Sequence, residues 1–316
     1  MVMTGCFILL FCLVLSAISK IDLDFDAIVA GLNHYNESIK SGEADITHKR
    51  SQYNMQDELG DSIVTESHLT FDGKKTLFEI EKRKSYRSLC LPKETYLIKK
   101  ANEFRVEYDD NGNPHFSFIS NFFNGFIADI DPRHLTRGIW NMGTPLIEGT
   151  WPADTFAKYI VKKRFRITSK EAVDGTMCYV LEAKDGQKHE KIWIAPECGF
   201  GYLKYEKWSP CNDIPDIGIR KGTPGGYRCQ ISYQQNNGTW FPKKELSESF
   251  WIDSKGKEHP ILRKELEVKN LRLNCRIPPK TFTIEIPDNA SIRLADSNEY
   301  ISKQELLKRY PVFIEE

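Results

Sequence analysis

Turn punctuation constrains this chain more than any other feature. Short runs of alternating apolar and polar residues are separated by pairs that favour tight reversals: Asp72-Gly73, Asn111-Gly112, Asp174-Gly175, Asp185-Gly186 and Asn237-Gly238. Such pairs accept the positive φ angles of hairpin loops, which join antiparallel neighbours and are too short for a parallel crossover. "VTESHLTF", "KKTLFEIEKRK", "TYLIKK", "EFRVEYDD" and "PHFSFIS" open the series. "RFRITSKEAVDG", "MCYVLEAKDG", "KHEKIWIAPE", "YRCQISYQQ", "TWFPKKELSESFWID" and "KGKEHPILRKELEVKNLRL" continue it. The pattern predicts about ten or eleven strands in consecutive antiparallel order. Many carry charge on one face and apolar or aromatic residues on the other, so one face is wet and one must be covered. The expected fold class is mainly β (α+β), built on one strongly curved antiparallel sheet.

Helical spacing is sparse. "DFDAIVAGLNHYNESIK" (Asp24 to Lys40) places Ile28, Leu32, Tyr35 and Ile39 on one face, with acidic residues in the first turn and Ser41-Gly42 at its end. That spacing predicts an amphipathic helix. "PADTFAKYIVKK" (Pro152 to Lys163) predicts a second, and "DPRHLTRGIW" (Asp131 to Trp140) a short third. Two segments break the strand rhythm: an aromatic-rich stretch that, with the second helix, spans 120–163 as a lid-like insertion, and a Pro, Gly and Cys loop over 208–227. No internal repeat or low-complexity linker divides residues 20–316, so a single domain is expected.

"CFILLFCLVLSAIS" (Cys6 to Ser19) is an uncharged apolar run ending in a small-x-small pattern. Residues 1–19 therefore read as a cleaved secretory signal. A retained membrane anchor is the rival, and the run is shorter than the roughly 20 residues a spanning helix needs. The expected location is periplasmic or secreted. Lys plus Arg equals Asp plus Glu at 44 each, so charge supplies no case for nucleic acid as a partner. Six cysteines follow the signal: Cys90, Cys178, Cys198, Cys211, Cys229 and Cys275. In an exported chain an even count favours disulfides, and Cys198 with Cys211 or Cys229 is the expected pairing around one irregular segment. No CxxC or CxH spacing marks a metal site, and no cofactor is expected.

Catalytic signatures are missing. The histidines stand singly without HExxH or HxH spacing, and neither GxSxG, GxGxxG nor GxxxxGK[ST] occurs. "DIDP" (Asp129 to Pro132) reads as a helix cap by Asp131 before a carboxylate pair. The chain is therefore expected not to be an enzyme. Aromatic residues stand out instead: 18 Phe, 13 Tyr and 6 Trp. Those expected to line an apolar cavity between a bent sheet and a helical cover are Phe116, Phe118, Phe122, Phe123, Phe126, Trp140, Phe156 and Trp193. The plainer reading is that they fill a core packed on the sheet.

The N-terminal amphipathic helix leads into a long meander. "KIWIAPECGFGYLKYE" (Lys191 to Glu206) and the closing "KTFTIEIPDNASIRLAD" follow. Together these resemble the outer-membrane lipoprotein-sorting proteins, the LolA/LolB-like group, in a large divergent form covering about residues 24 to 297. The resemblance implies an incomplete β-barrel with helices covering its concave face. It also implies that Phe282 tucks under the sheet and that the Pro287 to Ala290 turn feeds a terminal edge segment. The function it implies is an exported carrier or binding protein for a lipid or lipoprotein acyl chain. The alternative is an envelope structural or sensory module, its core filled by its own aromatics, with an envelope protein as partner.

Overall fold

The computed structural model describes residues 24–54, 56–73, 75–85, 90–91, 94–99, 102–108, 113–119, 156–211, 219–283, 285–294 and 297–310. Helix α1 (Phe25–Ser38) is the first described element and precedes β1 (Ser41–Tyr53), β2 (Leu59–Asp72), β3 (Lys75–Ser85), β4 (Cys90–Leu91), β5 (Glu94–Lys99), β6 (Asn102–Tyr108) and β7 (Pro114–Ile119). Helix α2 (Phe156–Lys162) leads into β8 (Arg166–Val173), β9 (Thr176–Asp185), β10 (Lys188–Ala195), β11 (Gly201–Trp208), β12 (Gly225–Asn236), β13 (Thr239–Ile252) and β14 (Glu258–Leu273). Strands β15 (Ser291–Leu294) and β16 (Glu299–Ser302) and helix α3 (Lys303–Arg309) end it.

All the described strands belong to one large sheet, and among the described residues it does not close into a barrel. Its order is β16-β15-β7-β6-β5-β3-β2-β1-β14-β13-β12-β11-β10-β9-β8, with β4 paired to β3 beside this path. The expected meander is present as two meanders. One runs from β1 to β7, the other from β8 to β14, and the two are sewn together where β14 pairs antiparallel with β1. The sheet has 16 strands, more than the punctuation predicts. Strand β1 went unforeseen because its alternation passes from Ala44 and Ile46 to His48 and Arg50, which look like a solvated run. The segment expected at the edge, "SIRLAD", instead forms β15, which pairs parallel with β7 and leaves β16 outside it. The hairpin turns behave as expected: Asp174-Gly175 and Asn237-Gly238 have positive φ at both residues.

Helix α1 forms where the spacing places it. The Asp24 carboxylate caps it by accepting from Ala27 N–H at 2.8 Å, and Ile28, Leu32, Tyr35 and Ile39 are all buried. Ser41-Gly42 does not terminate it but starts β1. Ser41 Oγ donates to the Cys275 carbonyl at 2.6 Å. A side chain at Gly42 would meet the Arg272 carbonyl at 2.7 Å and the Phe71 ring at 2.8 Å, so that glycine permits close strand packing. Helix α2 is seven residues long and buries Phe156, Ala157 and Ile160. The third expected helix lies outside the described residues.

The sheet buries different faces in its two halves. Over β8 to β12, α1 and α2 cover Tyr179, Leu181, Ile192, Ile194, Tyr202, Tyr205, Cys229 and Ile231. The same face continues across β13, β14, β1 and β2, where Tyr35 of α1 and Ile39 just beyond it pack on Ala44, Ile46, Leu69, Phe71, Phe241, Leu266 and Val268. Beyond β2 the buried side reverses. Leu77 sits opposite Thr70, on the face away from Leu69 and Phe71. It joins Phe104, Val106 and Phe116 beneath the C-terminal segment, which contributes Ile277, Phe282, Ile292, Leu294, Ile301 and Leu306. Phe282 is 1% exposed, tucked under the sheet as expected.

Candidate functional site

Of the side chains expected to line one apolar cavity, those of Phe116, Phe156 and Trp193 are described, and they lie in three separate clusters. Phe116 lies under the C-terminal segment, 6.0 Å from Phe104 between ring centroids. Phe156 packs on Tyr202 at 5.1 Å beneath the helices. Trp193 points to the opposite face of β10, with Cys178, Val180, Ala195 and Leu203. The Lys191 and Lys204 ammonium groups stand over its ring at 4.9 and 4.4 Å, and its indole N–H donates to Glu171 at 2.8 Å. Phe118 is paired through its backbone to Phe104 in β6. Phe122, Phe123, Phe126 and Trp140 lie outside the described residues.

The expected disulfides are corrected. Among the described residues Cys178, Cys198, Cys211, Cys229 and Cys275 form no disulfide with one another. Cys229 is buried on the helix-covered face with Tyr205 and Ile231. Cys198, at the end of the 3-10 turn Pro196–Cys198, packs with Cys178 on the other side of the sheet. Cys211 lies in the loop beside Pro224 and Gly225. Burial pushes the Cys178 thiol up to about 11, so it is held as the unreactive thiol.

The distinctive chemistry lies on the helix-covered face, along a single cross-strand row. Leu181 pairs with Ile192, Ile192 with Tyr205, and Tyr205 with Cys229. Cys229 pairs with Ser247, Ser247 with Lys264, and Lys264 with Arg50. Directly opposed residues share a face, so the row changes from aliphatic and aromatic to cationic within one sheet surface. The row beside it runs Ile231, Glu245, Leu266, His48, Thr65. Glu245, Ser247, His48 and Thr65 are buried, whereas Arg50 and Lys264 keep partial exposure. Burial pushes the Lys264 ammonium below its ordinary value; the Glu245 carboxylate pulls it back and Arg50 deepens the depression. Ser247 is 1% exposed, and among the described residues its hydroxyl has no hydrogen-bond partner.

A second polar group lies within the covered cluster. Glu190 of β10 is 4% exposed and accepts hydrogen bonds from the Tyr205 hydroxyl at 2.8 Å and from the Tyr159 hydroxyl of α2. This carboxylate ties the short helix to the sheet. No group of three or more His, Cys, Asp or Glu suited to a metal occurs among the described residues.

Sequence reasoning missed Arg50, Lys264, Glu245, Ser247 and Glu190. A signal was present in the parity of the strands: Ile46, His48, Arg50 and Lys264, Leu266, Val268 each alternate onto the buried face. Charges at those positions break the binary pattern, and such breaks mark functional or strained sites.

No family model matches the chain, and no curated protein matches it. Among solved structures it is similar to a DUF1329 family protein from Desulfovibrio piger, with a TM-score of 0.45 and 12% identity over 82% of this chain and 95% of that one. It is also similar to PNGF-II, with a TM-score of 0.21 and 10% identity over 77% of this chain and 29% of that one. Lipovitellin gives a TM-score of 0.25 and 10% identity over 76% of this chain and 26% of that one. The chain spans less than a third of the last two. None of the three is described as a lipoprotein-sorting protein, and these TM-scores carry no functional argument.

Proposed function

We propose that this chain is an exported, non-enzymatic binding protein or carrier for a hydrophobic ligand, a lipid or lipoprotein acyl chain, handled in the cell envelope as the LolA/LolB-like group would handle it. One observation carries the reading: a single sheet surface passes from aliphatic to charged along one row, which is the polarity profile of an amphiphile. Strands are spaced about 4.8 Å apart, so Cys229 and Lys264 are separated by roughly 10 Å along the row. The apolar end is covered by α2, a two-turn helix that buries only three side chains. An element with so few buried contacts opens at low cost, and an incoming acyl chain takes its place at a gain of about 0.8 kcal/mol per buried CH₂.

The second reading is the self-filled interaction module. Leu181, Ile192 and Ile194 are 0% exposed beneath the chain's own helices, and this favours it. Native mass spectrometry of protein purified from its own envelope fraction, followed by lipid extraction, separates the two. A stoichiometric bound lipid is the expected result. An apo mass together with failure to take up neutral Nile red would favour the module.

A further inference from the structure

We infer that the Ser247–Lys264–Arg50 end of the row is a head-group site that selects lipids with an anionic head, a carboxylate or a phosphate ester. The inference rests on the binding reading above and adds to it the chemistry of the polar end. Like charges placed directly opposite each other across two strands destabilise a sheet, yet Lys264 faces Arg50 on a largely buried surface. Burying an ammonium is costly unless an anion compensates it. Glu245, diagonal to Lys264 through the pairs Glu245–Leu266 and Ser247–Lys264, supplies one negative charge to this patch. Among the described residues Lys264 makes no ion pair. Beside it the Ser247 hydroxyl is buried without a hydrogen-bond partner, an arrangement proteins normally avoid unless something else fills the role.

An anionic oxygen placed between Lys264 and Ser247 answers both anomalies. It neutralises the cation and accepts from the hydroxyl, with Arg50 adjoining on the next strand. The hydrocarbon attached to that head then runs along Cys229, Tyr205 and Ile192, in the direction in which the row becomes apolar. A neutral alcohol of the same length would lie along the same row and bring Lys264 no anionic partner.

The test is displacement of Nile red from the full chain by dodecanoate, dodecyl phosphate and 1-dodecanol, each below its micelle-forming concentration. Dodecanoate or dodecyl phosphate should displace the dye at about tenfold lower concentration than dodecanol, the gain of one charge-assisted contact. Preference for one of the two anions identifies the head as carboxylate or phosphate. Lys264→Met, which keeps the methylene stem, should erase the preference; Ser247→Ala should reduce it. Equal displacement by anions and alcohol in the wild-type protein overturns the head-group site while leaving the binding reading intact. Displacement by none of the three removes the binding reading and the site with it. The wild-type comparison decides the question even where a variant does not fold.

Discussion

His259 on β14 is held between two carboxylates, with Nδ1 2.8 Å from Asp57 and Nε2 3.2 Å from Asp253. Its ring stacks on Trp251 at 4.4 Å. The hydrogen bond to Asp57, and then that to Asp253, raise the imidazole above its ordinary value. A raised folded value means the stabilisation is complete below the unfolded value of about 6.5 and is lost as pH rises through the folded one. The urea midpoint should therefore fall as pH climbs from about 6.5 upward, and His259→Gln should flatten that slope. Parallel pH profiles in wild type and variant would show the clamp to be inert. Nothing in the sequence brings these residues together, since Asp57 and His259 lie 202 positions apart. The in-facing charges Arg50 and Lys264 were legible by strand parity alone, once β1 and β14 were recognised as neighbours.

Among the elements, the long ones were the legible ones. Helix α1 lies within the residues its periodicity marks, because four buried apolar positions and an Asp cap agree. Helix α3 was missed: it is seven residues long and buries only Leu306. Strand β1 was missed because half of its buried face is polar. Helix α2 is short as well, and its attachment is specific. Tyr159 and Tyr205 both donate to the buried carboxylate of Glu190. Tyr159→Phe removes one donor to a buried charged acceptor and should cost about 1–3 kcal/mol of stability. It should also raise amide exchange across Phe156–Lys162. If exchange in that helix is unchanged, the tie is not what holds it down.

At the scale of the whole molecule, local pattern could not show how the two meanders meet. Hairpin turns report sequence neighbours, whereas the β1–β14 and β7–β15 pairings join residues far apart, such as His48 with Leu266 and Phe116 with Ile292. The closing segment was legible as a cap through the family resemblance, which implies that Phe282 tucks under the sheet, and Phe282 is buried. Phe282→Ala should cost about 3–5 kcal/mol, read as a shift in the denaturation midpoint. A loss under about 1 kcal/mol would mean that the cap contributes little beyond its backbone. The β1–β14 seam also has a consequence for biosynthesis. While the ribosome is still making the second meander, β1 has emerged with its outer row of amides unsatisfied, and its partner lies more than two hundred residues downstream. Exposed strand edges of that kind recruit other chains, so a nascent copy of this protein carries an open template for pairing until β14 arrives to occupy it.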